Sequence, residues 1–391
     1  MIKILYFSPI NTNVQKGDST HFLEVAENLQ EFGNKILVIC RGGKAKLRNL
    51  NFKYIPNIEI KYLTTLLVDL FSSLYLIFYV LVYKPDIVYY RGVTLGGIIS
   101  RIFNVPSVAE ANGIYPDEIK IGQPHFFKFA GWFLKVRERM NYFLANRIIC
   151  VTEGIRRELV KNYGVKNAIC RVIPNGANTN LFRPMDKIAC RRRLGLREGY
   201  FYLGFVGSFR SWVGLDTLIE ALSMIKEKGY DKIRCILVGD GNSTGNLKDI
   251  VERRNLQREI IFTGNISYEE VALFINSFDV CLAPFKKERN LKIGLSPLKL
   301  YEYLACGRPV IASSLQGISD VINDGKCGYL FEPDVAEDLA SRIIESYSER
   351  DKLIELGNNG RTLVEKRFSW EEIARRVESV LREALQVNSE N

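Results

Sequence analysis

Apolar and polar positions along this chain follow two periods. Short, almost wholly apolar runs read as strands of a sheet covered on both faces. They fall at residues 2–8, 35–40 and 84–90, at a strand ending within 107–113, and at 148–152. Between them lie segments with apolar residues three and four apart, such as Phe22, Val25, Ala26 and Leu29, closed by Gly33 and Asn34. The pattern restarts in the second half, with strands at 202–206, 233–238, 260–263, 280–284 and 310–312 and helices at 215–224 and 370–385. Strands alternating with helices twice over predict an α/β protein of two doubly wound domains. The first βαβ unit turns at Gly17, where backbone N–H groups can meet a phosphate or a sugar.

Composition narrows the class. The chain has 391 residues, enough for two domains, and its 47% apolar and 25% charged content is that of a folded globular protein. Its eight cysteines form no C-x-x-C pair and several lie in apolar runs, which points to reduced, buried thiols. With two histidines, a histidine-built metal centre is not expected. The chain starts directly on a strand, so no signal peptide is expected. Residues 1–183 hold 24 Lys+Arg against 13 Asp+Glu, net +11, and residues 184–391 hold 30 against 31, net −1. A basic half beside a neutral one predicts an anionic partner for the first domain. No nucleic-acid motif is present, so an anionic membrane surface or substrate is expected.

Two stretches bear on that partner. Residues 66–83 are apolar over eighteen positions, the lower limit for a bilayer span, but Asp69, Ser72 and Ser73 interrupt them and a strand follows, favouring a buried helix. From 120 to 147, Phe126, Phe127, Phe129, Trp132 and Phe133 interleave with Lys128, Lys135, Arg137 and Arg139. An interfacial helix on an anionic leaflet and a core helix with a basic edge both fit.

The stretch from Gly294 to Val310 carries the chemistry. Ser296 is the expected N-cap, Pro297 the first helical residue, and Gly307 with Pro309 the stop. A helix opening this way offers N–H groups and a positive dipole end to an anion. Lys299 lies in the first turn, and Glu302 one turn on could accept from a hydroxyl pair. Phosphate plus vicinal diol describes a nucleotide.

The run S-P-x-K-x-x-E-Y-x-A-x-G-x-P-V from Ser296 resembles the donor-binding signature of the family 4 retaining glycosyltransferases, of group 1 type. The resemblance covers almost the whole chain, most strongly residues 200–332. It implies a GT-B fold: an acceptor-side domain, 1–183 plus the returning helix 370–391, and a donor domain, 184–369, facing a central cleft. It implies transfer from a nucleoside diphosphate sugar to a glycolipid or saccharide acceptor, with the diphosphate oxygen taking the acceptor's proton and no metal. A cytoplasmic protein, peripheral on the inner membrane face, is expected. Donor contacts are expected from Gly17, Gly207, Ser208, Gly239, Asp240, Gly241, Ile266, Gly294, Leu295, Ser296, Pro297, Leu298 and Glu302, the last on the ribose. Acceptor-side candidates are His21, Glu110, Asp117 and Glu118.

Five positions depart from the family pattern. Gly294 replaces a glutamate, Asn112 replaces a histidine before Gly113, and Asn178 replaces the aspartate of P-N-G-x-D. Ser208 and Val213 stand where an arginine and a lysine usually meet the diphosphate, leaving Arg210 and Lys299, with Asn112, as catalytic candidates. A non-catalytic donor-binding subunit and a nucleotide-sugar epimerase of the same fold are the competing readings.

Overall fold

The computed structural model describes residues 1–13, 17–42, 50–56, 64–92, 95–122 and 124–389, with the side chains of 64–67, 118, 121–122, 124–126, 129–130, 289 and 388–389 outside the description. The chain forms two compact units, Met1–Pro174 with Trp370–Asn391, and Asn175–Ser369.

The first unit holds β1 (Lys3–Asn11), β2 (Lys35–Arg41), β3 (Asn51–Ile55), β4 (Ile87–Arg91), β5 (Ser107–Ala111), β6 (Arg147–Cys150) and β7 (Cys170–Val172). They run parallel in the order β3-β2-β1-β4-β5-β6-β7. The second unit holds β8 (Phe201–Val206), β9 (Ile233–Val238), β10 (Ile260–Gly264), β11 (Val280–Ala283), β12 (Val310–Ser313) and β13 (Gly328–Phe331), parallel in the order β10-β9-β8-β11-β12-β13. Central strands β4, β5, β8, β11 and β12 are buried at every residue, as helices on both faces require.

Local chemistry sets the element ends. Thr152 caps the helix Glu153–Tyr163 by accepting the Ile155 N–H (3.1 Å), and Gly164, at φ 70°, closes it. Ser267 and Glu270 form a capping box on the helix Tyr268–Ser277. The last helix, Trp370–Ser389, rejoins the first unit. Its Glu383 binds Arg147 (3.2 Å) and Arg171 (2.7 Å), Glu378 accepts from Asn34 (3.0 Å), and Arg376 donates to the Val172 carbonyl (2.9 Å).

Three expectations change. The compact units divide at Pro174–Asn175 rather than between 183 and 184. Residues 175–183 pack with the second unit because Asn175 is tied to Ser296 and the Ala177 N–H donates to the Phe368 carbonyl (2.9 Å). β3, β7 and β13 were not read from the sequence, being short and partly exposed. The apolar stretch is the helix Thr64–Tyr83, and it is not buried all round. Val68, Ser72, Leu76 and Val80 face inward, while Leu70, Leu74, Phe78 and Leu81 are each more than half exposed. Asp69, which breaks the apolar run, pairs with Arg137. Burial raises the Asp69 pKa against the pull of that arginine. Among the described residues no helix is long and apolar enough to cross a membrane.

Candidate functional site

Each sheet reverses its strand order once, between β1 and β4 in the first unit and between β8 and β11 in the second. Ligands of open parallel sheets bind beyond the carboxyl ends of strands at such a reversal. Most sequence candidates gather at these two places.

In the second unit the chain leaves β8 at Gly207 and β9 at Gly239, at φ 135° and 123°. The Gly207 N–H donates to the Val238 carbonyl (2.9 Å), and a Cβ on Gly239 would stand 2.2 Å from the Gly207 oxygen. Only glycine allows that approach. Gly241 is equally close to Phe209, whose N–H donates to the Asp240 carbonyl (3.0 Å). The exposed Asp240 carboxylate accepts from the Thr244 hydroxyl and the Gly241 N–H (2.7 Å), bonds that hold its pKa below the usual range. Its observed work is to shape this turn.

The helix Leu298–Ala305 starts at Pro297, with no side-chain cap. Ser296, expected as the cap, is otherwise engaged: its hydroxyl pairs with the Tyr301 hydroxyl (2.8 Å) and accepts the Asn175 N–H (2.9 Å). The Asn175 amide also donates to the Ser296 carbonyl. The helix start therefore keeps its dipole without a neutralising side chain. In the first turn, the Lys299 ammonium lies 3.7 Å above the centre of the Phe205 ring and 5.5 Å from that of Phe285. A Cβ on Gly207 would come within 2.6 Å of its Nζ. The residue is half-buried overall, but its charged end is packed under this turn. Burial pulls its pKa down to about 7, opposed by Glu302. Glu302 is buried and accepts from the Tyr268 hydroxyl (3.1 Å). Leu295, Pro297 and Leu298 are half-buried around the helix start, and Ile266 lies just before the helix Tyr268–Ser277.

Gly294 has a backbone reason to lack a side chain. It sits at φ 68°, and a Cβ would meet the Gln316 carbonyl at 2.8 Å. That carbonyl accepts the Leu295 N–H (2.9 Å). A glutamate there would be strained before it reached any ligand. Val213 is buried, bridged to Phe285. Ser208 is exposed, and Arg210 is half-buried with its guanidinium 5.8 Å from the Trp212 ring centre.

In the first unit Glu110, Asn112 and His21 come together. Glu110, at the end of β5, accepts from Asn112 Nδ2 (2.7 Å) and the Tyr89 hydroxyl, and lies 3.1 Å from His21 Nε2 and 3.5 Å from Arg91 Nε. Its side chain is wholly inaccessible. Burial pushes its pKa up, but His21 and Arg91 overcome this and hold the carboxyl far below its ordinary value. Arg91 also donates to the Asp18 carbonyl (2.9 Å), pinning the first turn of the helix Gly17–Glu31. Gly17 is thus a helix residue rather than part of the preceding loop. Asp117 falls elsewhere, in the helix Tyr115–Gly122, where after burial and Glu138 it adds to the raised pKa of Tyr163. The Glu118 side chain lies outside the described residues.

Arg91 and Tyr89 were missed from the sequence. The available signal was a cation closing a buried strand directly before Gly92. Tyr268 and Phe205, the partners of Glu302 and Lys299, gave no signal at all.

Two all-parallel, doubly wound units define the GT-B class, and solved structures agree on that fold. Sucrose-phosphate synthase from Thermosynechococcus elongatus superposes with a TM-score of 0.81 at 20% identity, covering 98% of this chain and 99% of that one. Anabaena HepE superposes at 0.76 with 19% identity, over 98% and 100%. Residues 186–363 match the model of glycosyl transferases group 1, and residues 16–181 that of glycosyltransferase family 4. An uncharacterized glycosyltransferase of Methanocaldococcus jannaschii is 30% identical over 294 residues, 74% of this chain and 72% of the relative. A D-inositol 3-phosphate glycosyltransferase of Thermobispora bispora is 29% identical over 251 residues, 62% of this chain, and the match spans 57% of that relative's length. The chain belongs to the family 4 glycosyltransferases of group 1 type.

Proposed function

We propose that this glycosyltransferase moves a sugar, with retention, from a nucleoside diphosphate sugar to a glycolipid or saccharide acceptor. The observation that carries the reading is the Lys299 ammonium, packed under the Gly207 turn at an uncapped helix start, with Glu302 one turn further on. HepE of the same fold has been solved with UDP and with UDP-glucose. In this reading Lys299, Arg210 and the helix N–H groups hold the diphosphate. Glu302 holds the ribose, and the Glu110 cluster, with Asn112, serves the acceptor side. Bond cleavage puts charge on the leaving diphosphate, so cations aimed there stabilise the transition state most. No protein nucleophile is needed, because a departing phosphate oxygen can take the acceptor's proton.

The lowered Lys299 pKa makes a signed test. A bound diphosphate favours the ammonium and raises its pKa, so between pH 7 and 9 binding takes up a proton. UDP affinity, measured by calorimetry, should therefore fall as pH rises through about 7. The slope should vanish in Lys299→Ala. Glu302→Ala should weaken UDP binding by about 1.5–3 kcal/mol. Unchanged affinity in both variants, well folded, would defeat the reading.

A lipid-linked acceptor has its own support. Leu70, Leu74 and Phe78 on the helix Thr64–Tyr83, and Trp132, Phe133 and Phe143 on the helix Pro124–Phe143, are each more than half exposed. Large apolar residues beside basic ones suit an anionic leaflet. Co-sedimentation with anionic vesicles should fade as salt rises, and equal behaviour towards neutral vesicles would remove the membrane from the picture.

A further inference from the structure

A cavity of about 470 Å³ lies in the second unit, at the edge of its sheet where the strands begin. Phe201 opens β8, Asp279 directly precedes β11, and Arg308 stands two residues before β12. The glycine turns of the candidate donor site lie past the far ends of the same strands. The six residues of β8 put about 20 Å between the two places.

The lining is strongly cationic. Lys187, Arg191, Arg308 and Arg350 contribute four positive charges, and Asp279 contributes the one carboxylate, leaving three uncompensated. Asp279 is also saturated: one oxygen accepts from Lys187 (2.6 Å), and the other from Arg191 (2.6 Å) and the Tyr202 N–H (2.7 Å). It therefore does little to repel an incoming anion.

Arg308 is the unusual member. It reaches the Met185 carbonyl at 3.2 Å and the Asn276 side chain at 3.4 Å through one terminal nitrogen. Its Nε is shut off from solvent and has no hydrogen-bond partner. Burial lowers its pKa, and nearby groups, Asp279 among them, offset that desolvation only in part. A buried guanidinium donor without an acceptor is costly, so Arg308 is poorly compensated where it stands. Arg350, at the exposed rim, is held over the Phe201 and Tyr347 rings, its centre 5.3 Å and 4.0 Å from theirs, rather than by a carboxylate.

We propose that this cavity is a second anion site, distinct from the donor site, and takes a small phosphorylated metabolite of two to three negative charges. Its volume exceeds that needed by a bare phosphate, and planar guanidinium groups suit phosphate oxygens in pairs. Three of its lining residues, Cys306, Gly307 and Arg308, continue directly from the C-terminal end of the helix whose first turn carries Lys299. An occupant would thus touch the far end of the helix that builds the donor site.

The test is equilibrium binding of inorganic pyrophosphate to the full chain, in wild type, Arg308→Gln, Arg350→Glu and Lys299→Ala. Arg308→Gln and Arg350→Glu should each weaken one binding event by about tenfold or more, the scale of a lost hydrogen bond or ion pair to a charged group. Lys299→Ala should leave that event in place. Arg350 is exposed, so its variant keeps the test valid if Arg308→Gln fails to fold. Binding lost only in Lys299→Ala, or no pyrophosphate binding at millimolar concentration, would overturn the second site. UDP affinity, measured separately, tests the donor site, so failure of the second site and failure of the donor reading are distinguishable.

Discussion

The two switch points solve different physical problems. In the first unit the carboxyl ends of β4 and β5 hold a buried knot of side chains, the Glu110–Arg91 ion pair with His21 beside it. In the second unit the matching place is made largely of backbone, with Gly207, Gly239 and Gly241 touching one another's turns and one half-buried lysine beneath them. A buried charge knot is rigid, because removing one partner strands the others. Glycine turns with a helix start present N–H groups to an anion at almost no side-chain cost. The same sheet topology thus carries a buried side-chain cluster in one unit and turns built of backbone in the other.

The largest effect should come from breaking the knot. Glu110→Ala leaves His21 and Arg91 buried without their carboxylate and should cost about 3–5 kcal/mol of stability. Denaturant unfolding followed by tryptophan fluorescence, to which Trp370 contributes with its ring 5.1 Å from His21, reads this. The pH dependence has a fixed sign. The folded Glu110 pKa lies below the unfolded value near 4.5, so its contribution is complete above that value and is lost as pH falls below it. A variant as stable as wild type at pH 7 would mean that the knot is not a structural unit.

Next come the backbone turns and their lysine. Lys299→Ala should lower turnover by about 10²-fold while leaving the fold intact, since the lost interaction is strongest in the transition state. Wild-type turnover would detach Lys299 from the chemistry. In the apo protein the sign reverses. A lysine with a lowered pKa destabilises the fold below about pH 7 and is relieved as pH rises towards its unfolded value of 10.5. Lys299→Met should therefore gain stability over wild type most clearly at pH 6, and a larger gain at pH 9 would contradict the burial of the ammonium.

The smaller effect sharpens the comparison at Gly294. Gly294→Glu restores the family's side chain on a backbone at φ 68° with a carbonyl in the way. The expected result is about 1–3 kcal/mol of lost stability and no gain in donor affinity. Tighter UDP binding in this variant would show that the turn can rearrange around a side chain.

Much of this was legible in the amino-acid order. The twofold run of strands and helices follows from hydrophobic period alone, and β9 begins and ends where the pattern placed it. The run from Ser296 to Val310 marked the helix that carries Lys299 and Glu302, because a helix start with a proline and a stop with a glycine are local chemistry. What sequence could not decide was pairing across distance. Ser296 reads as a cap, yet its hydroxyl is taken by Tyr301 and Asn175, the latter 121 residues away. Asp69 reads as an interruption, yet it is the partner of Arg137. Which face of the helix Thr64–Tyr83 is buried cannot be read from a segment apolar on all sides. Gly294 reads as a missing glutamate, and only the Gln316 carbonyl explains why a glycine stands there. Each of these turns on a contact whose partner lies far along the chain, and tertiary packing alone brings such partners together.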